Sequence, residues 1–444
     1  MAFRTSFDVA RLVALCAAGV LTHALPACAA DDDPNFALHA QTTVVGQAHP
    51  AFDAAYSGPN SLSPDADARE TWDVTLYAGA HPWKGGEIWI NPEIDQGFGL
   101  SDTLGVAGFP SGEAYKVGMA HPYVKLQRLF LRQTIDLGGD EQPVDADLNQ
   151  FALKPTSNRL VVTIGKFGVT DVFDANPYAH DPRHDFLNWS LIDTGTFDYA
   201  ADAWGYSAGA AVELYEGDWT LRAGAFDLSD VPNSARLDPG FAQYQIDGEV
   251  ERRFKFRGQD GAVKVTGFVN HGRMGRFDDA VALGQATDTT PDTALVRQMR
   301  NRGGVSVNLS VGLSKDVGVF VRAGVANGDI EPYEFADIDR TVAAGISVKG
   351  ERWGRPDDTI GFAGVVNGIS KAHERYLEAG GLGILIGDGR LTHPAAEAIC
   401  EAYYDVALTK IVHLSVDGQI VDHPAYNADR GPVPIIAARF HAQF

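Results

Sequence analysis

Arg128 and Arg132 stand four residues apart in Arg128-Leu129-Phe130-Leu131-Arg132. Even spacing in an extended chain turns both guanidinium groups to one face. Arg222, Arg322 and Arg439 hold the polar parity of other alternating stretches, as do Asp73, Glu87, Glu213, Glu249, Asp405 and Asp417. Trp89 adds an aromatic ring at the same parity. Asp171, Asp174, Asn188 and Trp189 fall in one long segment between two such stretches. Guanidinium and carboxylate groups beside aromatic faces can hold polar solutes weakly and let them go, which is selection by lining and not by reaction. A hydrolase would need a nucleophile, a base and an orienter brought together. Gly205-Tyr206-Ser207-Ala208-Gly209 spells Gly-x-Ser-x-Gly, but within a period-two stretch and not at a strand-to-helix elbow, and there is no His-Glu-x-x-His motif. Ser306, Ser310 and His413 have the right chemistry, but nothing in the sequence gathers them. The reading is non-enzymatic, with no catalytic residues and no cofactor.

The elements that must position these side chains are strands. Val433 to Phe444 reads VPIIAARFHAQF, with Ile436, Ala438, Phe440, Ala442 and Phe444 on one parity and Ala437, Arg439, His441 and Gln443 on the other. Alone, this two-faced strand fits a soluble β-sandwich or a wall between lipid and water. Tyr244, Ile246, Val250, Phe254 and Phe256 oppose Gln245, Asp247, Glu249, Glu251, Arg253 and Lys255. A face so charged, opposite large apolar residues, suits hydrocarbon on one side and water on the other. Arg252 interrupts the apolar face and belongs near an interface, where it can snorkel. The same period of two recurs in about 16 stretches, the even number that a closed bacterial barrel needs. Long connections (48–69, 94–123, 168–203, 272–299, 368–396) alternate with tight ones, as extracellular loops alternate with periplasmic turns. The fourth, 138–157, is longer than a tight turn. Trp83, Trp219 and Trp353 lie at or beside short connections and predict an aromatic girdle at the periplasmic interface. No fixed-period repeat supports a propeller or β-helix.

Composition narrows the destination. The chain has 444 residues and a net charge of −22, which argues against a nucleic-acid partner. Residues 1–29 read as a cleaved secretory signal: Arg4 and Arg11, an apolar Leu12 to Leu25, then Ala27-Cys28-Ala29. A lipoprotein box ending at Cys28 is the rival reading, which Pro26 fits poorly. Cleavage removes Cys16 and Cys28 and leaves Cys400 alone, so no intrachain disulfide is expected. No later apolar run reaches the roughly 18 residues of a spanning helix. The expectation is an all-β, transmembrane antiparallel β-barrel formed by residues 30–444 as one domain.

In a barrel the polar parity faces the lumen. Arg128, Arg132, Arg222, Arg322, Arg439, Glu87, Trp89, Asp171, Asp174, Asn188 and Trp189 are then the expected lining, with the fifth connection (168–203) as the constricting loop. For any one of them the competing reading is a solvated charge, or an ion pair that holds a loop against the wall. The fifth connection also carries His180, Asp181, His184 and Asp185. Their spacing matches neither a calcium loop nor a zinc signature, so loop packing is expected and no metal site.

Several stretches also carry a resemblance. These are Tyr56-Ser57-Gly58-Pro59-Asn60-Ser61-Leu62, Gly97-Phe98-Gly99-Leu100-Ser101 and Arg128-Leu129-Phe130-Leu131-Arg132-Gln133. The densest group is Gly165-Lys166, Asp171-Val172-Phe173-Asp174-Ala175-Asn176, Asp181-Pro182-Arg183, Phe186-Leu187-Asn188-Trp189 and Phe197-Asp198-Tyr199-Ala200-Ala201-Asp202. In this order and spacing the chain resembles the carbohydrate-selective (OprB-type) outer-membrane porins over nearly all of its mature length. The resemblance implies a 16-stranded barrel in the bacterial outer membrane, inward-folding loops and passive uptake of small sugars such as glucose. It leaves open a pore for cations or small organic acids, and a barrel serving structure or adhesion. Implied partners are outer-membrane lipid, sugars in transit and the barrel-assembly machinery, which reads a terminal aromatic such as Phe444. A single barrel and a homotrimer fit equally well.

Overall fold

The computed structural model describes residues 35–114 and 118–444, so the signal segment with Cys16 and Cys28 lies outside the described residues. Sixteen strands are found among them. In order they are β1 (Phe36–His49), β2 (Asp67–Trp83), β3 (Gly86–Gly97), β4 (Met119–Glu141), β5 (Thr156–Phe167), β6 (Ser207–Glu216), β7 (Trp219–Asp227) and β8 (Tyr244–Phe256). They continue as β9 (Gln259–Met274), β10 (Gln298–Ser314), β11 (Val317–Ala326), β12 (Arg340–Gly350), β13 (Arg355–Gly368), β14 (Glu397–Ala407), β15 (Val412–Asp422) and β16 (Val433–Gln443). Each strand pairs antiparallel with its sequence neighbours, and β16 pairs with β1 to close the barrel. The seam runs in register from Gln41 opposite Gln443 to Ala48 opposite Ile436. At its end Phe444 N donates to Ala40 O at 2.8 Å, and Ala40 N donates to Phe444 O at 3.2 Å. Closure leaves no edge strand, so the wall satisfies its own backbone in hydrocarbon.

Period two sets which side chains meet lipid. On β8, Tyr244, Ile246 and Val250 are exposed outward, while Gln245, Asp247, Glu249 and Glu251 are buried inward. The final strand behaves likewise: Ile436 is exposed and Arg439 is buried. Arg252 lies on the outer face with its guanidinium 5.1 Å from the Trp219 ring, and Trp83, Trp219 and Trp353 are all exposed at the short-turn end. Arg257-Gly258 joins β8 to β9 with φ of 52° and 83°. Two positive values in a two-residue loop match the right-handed twist of the hairpin.

The apolar core is not between sheets. It lies inside the barrel, where long connections turn inward and pack Phe109, Phe167, Phe173, Trp189, Tyr199, Phe226 and Phe335 together. Three helices sit on these connections: α1 (Trp189–Ile192), α2 (Phe277–Thr287) and α3 (Lys371–Glu378). The fourth connection, 142–155, folds back on itself through Val144–Leu153 and Asp147–Gln150 bridges at the periplasmic mouth.

Candidate functional site

The fifth connection, 168–206, crosses the lumen. One side is fixed to the wall formed by β8 to β16. The Asp174 carboxylate accepts from Asn308 Nδ2 of β10 at 2.9 Å and, within the loop, from Thr194 N at 2.7 Å and Thr194 Oγ1 at 3.0 Å. Arg322 Nη1 donates to Leu191 O at 2.6 Å, and Nη2 to Asp174 O at 3.1 Å. Glu401 of β14 accepts from Leu187 N at 2.5 Å and Asn188 N at 2.9 Å. Asn188 caps α1 by accepting from Ser190 N at 3.1 Å, and its Nδ2 donates to Gly108 O at 2.7 Å. Arg439 donates to Asp185 O at 2.9 Å. Trp189 lies flat on Phe109, with centroids 5.2 Å apart and planes 11° apart.

These contacts place several of the expected lining residues. Asp174, Asn188, Trp189, Arg322 and Arg439 are at most 2% exposed and lie behind the lining, where they hold the loop. The physical reason is the one that parity alone leaves out: a loop that enters the lumen covers the inward side chains it touches, and a buried charge must then be paired. Trp89 is likewise covered. It packs against Phe151 of the fourth connection at 5.0 Å, and Gly79 on β2 makes room for its ring, since a Cβ there would stand 2.5 Å away. Arg132 and Glu87 belong to the same periplasmic arrangement. Arg132 Nε donates to Glu87 at 2.7 Å and Nη2 to Asn149 O at 2.5 Å, and Glu87 accepts from Phe151 N at 2.8 Å. Arg132 thus holds the fourth connection, and the structure separates it from Arg128. Arg222, on the β6–β8 wall, bonds Glu213, Glu249 and Glu251 at 2.9, 2.6 and 2.7 Å.

The other side of the fifth connection faces β2, β3 and β4, and accessible charge remains there. Arg128 makes a two-point contact with Asp171, Nε to Oδ2 at 2.8 Å and Nη2 to Oδ1 at 2.6 Å. Its guanidinium also lies 4.8 Å from the Tyr206 ring. Arg183 approaches Asp73 at 3.8 Å, Glu93 at 3.9 Å and Glu113 at 3.5 Å. None of these closes to a hydrogen bond with Arg183, whose Nε has no partner among the described residues, while the Asp73 and Glu113 carboxyls hydrogen-bond each other. Glu93 is held by Thr75 at 2.5 Å and Gln127 at 3.2 Å. The Arg128 and Arg183 side chains keep 15% and 14% exposure, so both still reach solvent.

Loop titrations follow from these neighbours. Burial works against ionised Asp171, but Arg128 outweighs it and holds the carboxyl below its ordinary range. Asp181 is brought down to about 2, because His184 and Arg183 overcome the burial penalty. Burial pushes Glu113 up despite Arg183. Asp185 spends its carboxylate on His180 N and Asp181 N, at 3.0 and 3.1 Å.

Arg183, Glu93, Glu113 and Tyr206 were not singled out from sequence as lining. Arg183 sits in the Asp181-Pro182-Arg183 stretch that carries the resemblance, but nothing local reveals its three acidic neighbours. The third connection, described over 98–114, was also missed as a lumen loop. Its Ala107 N and Gly108 N donate to Glu397 of β14 at 3.0 and 2.8 Å. Above the charged zone, Phe109, Trp189, Tyr199, Trp204 and Phe335 border a cavity of about 90 Å³.

The chain is similar in structure to OprB of Pseudomonas putida at high pH, with a TM-score of 0.70 and 14% identity over 93% of this chain and 95% of that one. The outer membrane channel DcaP of Acinetobacter baumannii gives a TM-score of 0.52 and 11% identity, covering 92% of this chain and 97% of that one. No curated protein matches the chain by sequence. These likenesses support the barrel fold. The family model described as carbohydrate-selective porin, OprB family, matches residues 59–444. The chain therefore belongs to the carbohydrate-selective porins of the OprB family, channel-forming barrels of the bacterial outer membrane.

Proposed function

We propose that sugars pass between the fifth connection and the β2–β4 wall, and that Arg128 and Arg183, poised by the buried Asp73, Glu93 and Glu113 carboxyls, are the groups that select them. One observation carries this reading. The Arg183 guanidinium stands 3.5 to 3.9 Å from three carboxylates without hydrogen-bonding any of them. Its donors are therefore uncommitted while its charge is held in place by buried acids, which leaves them free for sugar hydroxyls on the side that reaches solvent. Trp204, partly exposed at the rim of the aromatic cavity, carries Lys125 Nζ 3.8 Å over one ring face, and its other face is the one offered to the apolar side of a pyranose. Weak contacts at successive points allow both capture and release, which conduction requires. Phe444 belongs to the same proposal as the residue read during assembly; it is exposed at the periplasmic end.

The test is single-channel recording in planar bilayers. Wild type should show discrete steps that glucose blocks, and Arg183→Ala should weaken that block by about tenfold, as loss of one charge-assisted contact predicts. Strong cation preference with no glucose effect would favour an ion pore, and no conductance at all would refute transport.

A further inference from the structure

The periplasmic end of the lumen holds a second cavity, of about 300 Å³, bordered by His39, His184, His413, His441, Lys410 and Asp147. Sequence reading left all six unassigned to a solute. They come from β1, the fifth connection, β15, β16, the β14–β15 turn and the fourth connection. Such convergence arises only on closing the barrel and docking both loops. His184 is central: its ring lies 4.4 Å from that of His441 and 5.5 Å from that of His413. His441 Nδ1 is 3.1 Å from Thr43 Oγ1, while its buried Nε2 has no hydrogen-bond partner among the described residues. Leaving a buried imidazole nitrogen unpaired is costly, and an apolar residue would avoid it.

We infer that this cavity is an exit-side subsite for polyhydroxy acids, filled when its imidazoles take up protons. The inference rests on the sugar-porin reading of the constriction. A carboxylate suits imidazolium and ammonium groups. Neutral imidazoles, each both donor and acceptor, suit hydroxyls. The fixed charges around the rings set the sign. Asp181 and Asp185 lie near His184 and His441. Asp405 accepts from His413 Nδ1 at 2.6 Å, with Asp357 also acting on that ring. Asp147 faces His39. Against these acids stand Lys410, Arg439 and Arg183. With neutral imidazoles the acids prevail and a carboxylate is repelled. The His184 and His441 rings meet edge to face, close enough that two charged rings would repel each other. Each proton that the rings take up reduces the repulsion of a carboxylate. An ordinary imidazole changes charge between pH 5 and 8, so acidification across that range is where the effect is read.

The test uses the purified barrel in planar bilayers under a KCl gradient at about pH 7.5 and about pH 5.5. Gluconate is the probe and glucose the reference. On acidification, chloride preference and gluconate block should each rise about fivefold per unit of net charge gained at a few ångströms in a watery lumen. Glucose block should stay as it was. His184→Gln/His413→Gln, checked for heat-modifiable folding on gels, should lose the acid response and keep glucose block. Lys410→Gln should lower chloride preference at both pH values alike. Identical wild-type selectivity at the two pH values would overturn the inference, as would a full acid response in the double variant. Absence of glucose block beside an intact acid response would instead overturn the constriction reading.

Discussion

Replacing Asp174 with alanine loosens both the fold of the fifth connection and its hold on the wall. The Asp174 carboxylate accepts three hydrogen bonds, two from Thr194 inside the loop and one from Asn308 of β10, and faces Arg322 Nε of β11 at 3.5 Å. Both Asp174 and Arg322 are fully buried. Removing one partner of such a pair leaves an uncompensated charge and costs about 3–5 kcal/mol. That lowers the docked-to-free ratio of this part of the loop by roughly a hundredfold to a few thousandfold. Barrel integrity should be spared, because the β-ladder does not pass through Asp174. The Glu401 and Arg439 anchors remain, so one end of the loop stays fixed while the other moves. In single-channel recordings, D174A should give larger conductance, more current noise and weaker glucose block. D174A/E401A should exaggerate all three, since Leu187 N and Asn188 N also lose their acceptor. Asp174→Asn, which keeps an acceptor of similar shape, should fall between wild type and alanine. Wild-type conductance, noise and block in both D174A and the double variant, with folding confirmed, would refute the claim that these side chains hold the loop in the path.

Other outcomes separate the remaining roles. Arg128→Ala should weaken glucose block and shift ion preference toward cations, measured by reversal potential, whereas Arg132→Ala should chiefly increase protease sensitivity of the fourth connection. Asp181 sits at about 2 in the folded chain, against 3.8 unperturbed. Its depressed value contributes about 2 kcal/mol that is present above pH 4 and lost as pH falls from about 4 to 2; channel noise should therefore rise in that acid range, and Asp181→Asn should remove the dependence. Deleting Phe444 removes the last two hydrogen bonds of the seam, so it should lower the yield of folded barrel more than the conductance of barrels that do form. Cys400 points outward from β14, so a membrane-soluble maleimide should label it in intact membranes and a polar one should not.

Much of the wall was legible because it obeys one rule. Alternation in stretches such as Tyr244–Phe256 fixes inward and outward faces whatever the neighbouring strand contributes. Closure followed from the even strand count. The interior was less legible because parity reports direction and not cover. Arg322 and Arg128 both point inward, yet Arg322 is sealed beneath Asp174 and Leu191 O while Arg128 reaches solvent. That difference depends on where a loop more than a hundred residues away in sequence comes to rest. Arg183 shows the converse. It lies on a loop with no periodicity, and its acidic partners come from β2, β3 and the third connection. Arg132 was grouped with Arg128 by its spacing, but its side chain serves a periplasmic hairpin whose fold no local pattern announces.

The wall and the path it encloses answer to different constraints. Hydrogen bonds between neighbouring backbones keep the cylinder closed whatever its side chains are, whereas its bore is set by how loops are tethered at Asp174, Asn188 and Asp185. A grafted or inherited change in the fifth connection is therefore not self-contained. Unless Arg322, Glu401 and Arg439 change with it, the wall keeps buried charges that the new loop does not meet. Lineages that alter what they admit should show these loop and wall positions changing together, while the outward face drifts freely among apolar residues.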